Sequence, residues 1–164
     1  TMSDRIAVMD HGEVKQVGPA SDIYERPNSR FVADFIGETN FVEGEVESVA
    51  GDYAQFNADG LRLTAMTPAG GVSPGARATL AVRPERILLS HTPLAEAVNT
   101  FPGIVRENIY IGTDTRYLVQ LSPTVRLRVR QQNLAPLGMP VLEGPEGGKV
   151  WVAWTPDSAR ILRE

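Results

Sequence analysis

The sequence contains no cysteine and only two histidines among its 164 residues. Disulfides, thiolate metal sites and cysteine nucleophiles are therefore excluded. The histidines, His11 and His91, are far apart in sequence, and each stands beside a predicted turn. Because a metal centre in a protein needs three or four ligands held together, this pattern predicts two surface turn residues and no metal site.

Two further signals are absent. No apolar run approaches the roughly 20 residues that a membrane-spanning helix requires. The phosphate-binding pattern G-x-x-x-x-G-K-[ST] does not occur, so nothing in the chain is expected to cradle nucleotide phosphates. The sequence therefore predicts no catalytic residue and no bound cofactor.

The charge balance and the small number of aromatic residues argue against a nucleic-acid partner. The formal net charge is −4, and aromatic residues make up only 7% of the chain. Binding to a nucleic-acid backbone depends on Lys and Arg, and single strands stack on aromatic side chains. The acidic balance and the low aromatic content therefore argue against such a partner.

Glycine and proline are plentiful, with 15 and 12 residues spread along the chain, and they indicate many short strands. Over residues 1–38 the pattern predicts a hairpin and two short helices. From Asn40 the apolar period becomes two, which predicts about eight short strands and a small barrel or sandwich. The predicted domains are therefore 1–38 and 39–164, with a Gly- and Pro-rich loop over 133–148.

Two predicted strands open in a similar way. Glu43-Gly44-Glu45-Val46 and Pro102-Gly103-Ile104-Val105 both carry a glycine near the beginning of the strand. Glycine inside a strand often marks a bulge or a close backbone approach. The shared pattern suggests two related halves.

The strand Val125–Arg130 alternates apolar and basic residues. Period two places Arg126, Arg128 and Arg130 on one face and the apolar residues on the other. Two interpretations are open. The arginines either form a solvated face that discourages edge pairing, or form a cationic patch for a partner or an anion.

Three aromatic residues are candidates for contacts. Trp151 and Trp154 are three residues apart on a predicted strand, so they face opposite sides. We expect one in the core, and the other is a candidate for a dimer or ligand contact. Tyr110 is a candidate pocket residue, although core packing is the favoured interpretation.

The tripeptide Arg83-Pro84-Glu85 interrupts an apolar strand. Proline cannot donate to a sheet ladder, so the strand must end, bulge or lie at an edge there. Arg83 and Glu85 are expected to pair with each other or to bind backbone groups. A structural role is favoured, with a ligand or interface role as the alternative.

Motifs along the first forty residues closely resemble the tail of ABC importer ATPase subunits: Ser3-Asp4-Arg5-Ile6-Ala7-Val8-Met9, Gly12 to Pro19, Ile23-Tyr24-Glu25-Arg26-Pro27 and Phe31 to Asn40. The remainder is similar to the TOBE-type regulatory domain of that family, through Val82-Arg83-Pro84-Glu85, Gly103 to Gly112 and Trp154-Thr155-Pro156. Within the family the junction around residues 35–41 looks most like importers of spermidine and putrescine.

The resemblance implies a mainly β fold, an OB-like small barrel preceded by a short α/β remnant of the ATPase domain. In such proteins the catalytic motifs and the sites for ATP and magnesium lie upstream of Thr1, so no catalytic residue carries over and His11 cannot act as the switch histidine. Separated from the ATPase domain, the hairpin is expected to be disordered, folded back or paired with a second copy.

The resemblance also implies partners and a location. The domain would pair with a second copy of the subunit, beside the ATPase domains and permease subunits, on the cytoplasmic side of the membrane. An effector that inhibits transport is a hypothesis, and for a polyamine the carboxylates of Glu43, Glu45 and Glu47 are candidates, with a solvated face as the alternative. Importers of sugar, iron, sulfate or glycerol phosphate, and a stand-alone OB-type binding module, are the alternative functions.

Overall fold

A computed structural model describes residues 3–133 and 145–162. Most of the predicted 133–148 loop lies outside the described residues. The chain begins with a hairpin and two short helices, namely β1 (Ile6–Asp10), β2 (Glu13–Gly18), α1 (Ala20–Glu25) and α2 (Arg30–Ile36). Ten further strands follow: β3 (Asn40–Ala50), β4 (Tyr53–Ala58), β5 (Leu61–Met66), β6 (Arg77–Val82), β7 (Leu88–Ser90), β8 (Asn99–Tyr110), β9 (Asp114–Gln120), β10 (Arg126–Gln132), β11 (Lys149–Trp154) and β12 (Ala159–Leu162).

The N-terminal hairpin is folded back onto the two helices. Val8 on β1 is buried against Ile23 of α1 and Val32 of α2. The hydroxyl of Ser29 accepts a hydrogen bond from the Val32 backbone N–H at 3.4 Å and caps the start of α2. The folded-back arrangement was one of the three expected for this segment.

The ten later strands form two sheets with the same internal order. The first sheet is a closed barrel in the order β12-β5-β4-β3-β6, which can equally be written β5-β4-β3-β6-β12 because β6 also pairs with β12. The second sheet has the corresponding order β10-β9-β8-β11-β7. All pairings are antiparallel except the contact of β12 with β5, which closes the barrel in parallel. The prediction of a mainly β, OB-like barrel is confirmed, and the structure adds a second, related sheet.

The two sheets exchange their last strands. After β6, a short 3-10 helix at Pro84–Arg86 leads the chain into β7, which pairs with β11 of the second sheet. After β11, a matching 3-10 helix at Pro156–Ser158 leads into β12, which pairs with β5 and β6 of the first sheet. Thus β7 follows β6 of the first sheet in the chain but completes the second sheet, and β12 follows β11 of the second sheet but completes the first.

The suggested relation between Gly44 and Gly103 is confirmed by their positions. A Cβ on Gly44 would lie 2.2 Å from the carbonyl oxygen of Asn57, and one on Gly103 would lie 2.6 Å from a methyl carbon of Val119. The pairing of β3 with β4 and that of β8 with β9 both shift register within three residues after the glycine. At Gly44 the backbone of the neighbouring strand approaches too closely for any side chain, and at Gly103 the space is filled by the side chains of Val119 and Leu121.

Two buried asparagines connect one sheet to the other. The Asn40 side chain, at the start of β3, donates to the Arg128 carbonyl at 2.8 Å and accepts from the Arg128 N–H at 2.7 Å. Asn99, at the start of β8, makes the same pair of bonds with Thr64 at 2.8 and 2.7 Å. Each side-chain amide thus imitates one rung of a β-ladder across the two halves, and a single apolar core spans both sheets.

Replacement of Gly44 by Ala should destabilise the protein by about 3 kcal/mol, because the new methyl group would overlap a backbone oxygen that cannot move away. Gly103→Ala should cost less, because its closest neighbours are carbons of the Val119 and Leu121 side chains, which can shift. Gly60→Ala is the matched control: Gly60 has a φ of +81° but open space around its Cβ, so only the backbone cost of about 1 kcal/mol applies. Urea unfolding measures all three, and equal losses for Gly44→Ala and Gly60→Ala would contradict the close-approach argument.

Candidate functional site

Arg83 is a buried arginine that joins the N-terminal segment to the barrel. Only 8% of the residue is exposed. Its guanidinium donates to the Gly37 carbonyl at 3.0 Å and to the Thr39 hydroxyl at 2.9 Å, and it lies 4.3 Å from the centre of the Tyr24 ring. It also donates to three more backbone carbonyls, those of Tyr24, Ala33 and Glu38. One side chain therefore holds α1, the end of α2 and the junction before β3.

Pro84 explains why Arg83 stands where it does. The β6 strand ends at Val82, and Pro84 opens a 3-10 helix, so the chain turns and the Arg83 side chain points at the helices. The expectation that the strand ends at this proline is confirmed. Of the two expected uses of the flanking charges, binding of backbone groups is the one observed for Arg83.

Glu85 and Arg86 continue the same junction on the surface. Glu85 accepts a hydrogen bond from the Tyr24 hydroxyl, and Arg86 forms an ion pair with Glu25 at 2.5 Å. Burial raises the pKa of the Tyr24 phenol, and its hydrogen bond to the Glu85 carboxylate raises that pKa further. The phenol is thus held in its neutral, donating form.

The arginines of β10 lie on the exposed face of the second sheet, as period two predicts, and Val125, Leu127 and Val129 are buried beneath them. Arg130 forms an ion pair with Asp114 at 2.6 Å. Arg128 and Arg116 each lie 3.9 Å from Glu38 and line a groove of about 290 Å³ with it. Because carboxylates already face these cations, the groove is a charge-matched surface and not a strongly cationic one.

The aromatic candidates lie in three different environments. Trp154 is 2% exposed and contacts Phe101 with ring centres 5.7 Å apart, so it is the core tryptophan. Trp151 is half-buried on the same strand. Tyr110 is 73% exposed at the end of β8, so the interpretation of core packing was wrong. The pairing of β8 with β11 ends at Ile104, and residues 106–111 of the chain are all exposed.

The acidic residues of β3 are largely engaged with arginines. Glu43 binds Arg30 at 2.7 Å, and Glu47 lies 3.3 Å from Arg62. These ion pairs oppose the use of the stripe as a ready polyamine site, since a cationic ligand would have to displace both arginines. The solvated and paired face is the arrangement that the structure contains.

The predicted candidates do not converge on one site. Arg83 and Glu85 meet at the junction, Arg126 and Arg128 share the outer face of β10, and Tyr110 stands at a hairpin tip. Within residues 3–133 and 145–162, no three His, Asp or Glu side chains come together as a metal centre. In the same part of the chain, no helix is long and apolar enough to cross a membrane.

Sequence reasoning missed two features. The spacing of asparagine four residues before glycine occurs in both halves and could have revealed the inter-sheet bonds of Asn40 and Asn99. The stretch from Gly71 to Gly75 has G-x-S-x-G spacing around Ser73, which also went unnoticed. It forms an exposed loop between two strands, whereas a nucleophile elbow joins a strand to a helix, so Ser73 is a loop residue.

Paired OB-like sheets with exchanged last strands define the structural class. The TOBE domain family matches residues 80–162, and the chain belongs to this family. Among solved structures, the cytoplasmic molybdate-binding protein ModG, in a form with molybdate bound, is similar with a TM-score of 0.61 at 14% identity. That similarity covers 76% of this chain and 96% of the ModG chain, and at this identity it supports the fold alone.

Curated relatives match almost the whole chain. It is 46% identical over 136 residues to a spermidine/putrescine import ATP-binding protein of Pseudomonas aeruginosa, which covers 81% of this chain. It is 44% identical over 163 residues to the protein of that name from Roseobacter denitrificans, which covers 99%, and 39% identical over 167 residues to that of Ruegeria pomeroyi. The chain spans 35%, 44% and 42% of the lengths of these three relatives. The resemblance expected from the motifs is confirmed.

Replacing Arg83 with Met should loosen the N-terminal segment by about 3 kcal/mol, because several buried carbonyls would lose their donor together. Backbone amides of α1 and α2 should then exchange hydrogen faster, while those of β4 keep their rate. Arg86→Met is the control, since it removes only an exposed ion pair worth about 0–1 kcal/mol. Equal protection of α2 in the two variants would contradict the role given to Arg83.

Proposed function

We propose that this chain is the C-terminal regulatory and dimerisation part of the ATP-binding subunit of an ABC importer for polyamines. The observation that carries the proposal is the 44% identity to a spermidine/putrescine import ATP-binding protein over 99% of the chain. Membership of the TOBE domain family supports the same role. The alternatives are an importer of another solute, such as a sugar, iron, sulfate or glycerol phosphate, and a stand-alone OB-type binding module.

In this proposal the chain consists of parts of two domains with different functions. Residues 1–38 belong to the ATPase domain, and residues 39–164 form the regulatory domain. The contacts of Arg83 support the proposal, because they would make the regulatory barrel follow any displacement of α1 and α2. Movement of the ATPase domain would thereby reach the barrel without a flexible linker.

The proposal also covers the subunit's binding partners and its location in the cell. The subunit pairs with a second copy and with membrane permease subunits at the cytoplasmic face of the membrane, and it binds no nucleic acid. ATP and magnesium are held by the ATPase domain of the complete subunit, and this chain alone hydrolyses no ATP. The sequence supports the last statement, because it lacks the pattern that cradles nucleotide phosphates.

The substrate class is tested by transport. In cells whose own polyamine uptake has been removed, the complete subunit with its permease and binding protein should restore uptake of labelled spermidine or putrescine. Labelled maltose, sulfate and glycerol phosphate, and iron, serve as parallel substrates. Restored uptake of one of these in place of a polyamine would reject the polyamine assignment and select the corresponding alternative.

Direct regulation by polyamine is tested by calorimetry on the 164-residue chain. The hypothesis of a polyamine effector predicts heat of binding with spermidine, weakened by salt because the ligand is a small polycation. Glu45→Gln and Glu107→Gln, both exposed carboxylates on different sheets, test which surface responds, and each should fold normally. Absence of heat at millimolar spermidine would remove the polyamine effector from the proposal while leaving the importer assignment to the transport assay.

A further inference from the structure

Arg160 is a half-buried arginine on β12 whose charge is poorly compensated. It stands in register with Met66 of β5 and Ala81 of β6. Its terminal nitrogens lie 3.3 Å from the Thr67 carbonyl oxygen and 3.5 Å from the Met66 sulfur. Its Nε atom is buried and has no hydrogen-bond partner among the described residues. A guanidinium with one neutral oxygen and one sulfur for partners is far from satisfied.

A second arginine adds to the positive charge. Arg26, at the end of α1, lines the same groove of about 660 Å³ as Arg160. Within the described ranges, no carboxylate oxygen lies within 4 Å of a nitrogen of either guanidinium. Burial and then the charge of Arg26 lower the pKa of Arg160. The groove therefore presents two cations that repel each other, and neither of them takes part in an ion pair between described residues.

The related sheet shows that the fold does not need a cation at this position. The first 3-10 helix and the strand after it place Leu88 where the second 3-10 helix and its strand place Arg160. Leu88 is exposed, and β7 forms without an arginine there. At this position the two otherwise matching halves therefore differ, with Leu88 in one and Arg160 in the other.

A partly buried cation without a counter-charge is costly, and a bound anion removes that cost. Arginine is suited to this because its planar fork binds the two oxygens of a carboxylate or phosphate group together. We propose that the groove between Arg26 and Arg160 is a binding site for a small molecule carrying a phosphate or carboxylate group. Its place, between the end of α1 and β12, means that the ligand would bridge the N-terminal segment and the barrel.

The arginines of the second sheet do not form an equivalent site. Arg130 is paired with Asp114, and Arg128 and Arg116 face Glu38. Those carboxylates would repel an incoming anion. Asp52 is the one acidic residue lining the groove at Arg160, and among the described residues it forms no ion pair with Arg26 or Arg160.

The test uses thermal unfolding of the 164-residue chain with inorganic phosphate, or with citrate, against sodium chloride of equal ionic strength. At a ligand concentration ten times the dissociation constant, the midpoint should rise by about 3–6 °C. Arg160→Met should abolish this rise and, without ligand, should melt at the same temperature as the parent or higher. Arg77→Met is the control, an exposed arginine on the neighbouring β6 that lies outside the groove, and it should keep the full rise.

Each outcome decides the question. A rise with phosphate that Arg160→Met loses assigns the site to phosphate groups, and a rise with citrate alone that Arg160→Met loses assigns it to carboxylates. No rise beyond that of sodium chloride, or a rise that Arg160→Met retains, would overturn the proposal. If Arg160→Met does not fold, Arg26→Met at the exposed end of α1 decides instead, because it should lose the rise while keeping the fold, and retention of the rise would reject the site.

Discussion

The exchange of last strands is the constraint on which the rest of the structure depends. The first barrel closes only because β12, from the far end of the chain, lies between β5 and β6. The second sheet is extended by β7, which follows the first. Neither half can complete its own sheet, so the hydrophobic core that spans both must form as one unit. The buried amides of Asn40 and Asn99 reinforce this from the start of β3 and the start of β8.

The asymmetries between the halves are where specific function can reside. Matching positions carry glycine, asparagine and proline in both halves because the fold demands them. Where the fold makes no such demand, the halves differ: Arg83 stands opposite Thr155, and Arg160 stands opposite Leu88. One of these arginines is satisfied by carbonyls of the N-terminal segment, while the other is left without a counter-charge. Residues that the two halves share are thus those that maintain the fold, and residues in which the halves differ are free to serve another purpose.

Local patterns predicted what depends on local physics. Period-two alternation located the strands and the exposed arginines of β10, and Pro84 located the end of β6, because side-chain alternation and a missing donor act within a few residues. The second sheet, the strand exchange and the groove at Arg160 were not predictable in this way, since they depend on which distant strands meet. Tyr110 was misjudged for a related reason: an apolar strand pattern does not show that β8 loses its neighbour β11 several residues before Tyr110.

The hydrogen bonds of the Arg83 side chain also differ chemically from an ion pair. Its hydrogen-bond acceptors are backbone carbonyls and one hydroxyl, and neither group gains or loses a proton in ordinary buffers. Shielding by dissolved salt, which weakens exposed ion pairs, has little influence on short bonds to buried dipoles. The bonds of Arg83 should therefore persist through changes of acidity and ionic strength that weaken the exposed ion pair of Arg86 with Glu25 in the same junction.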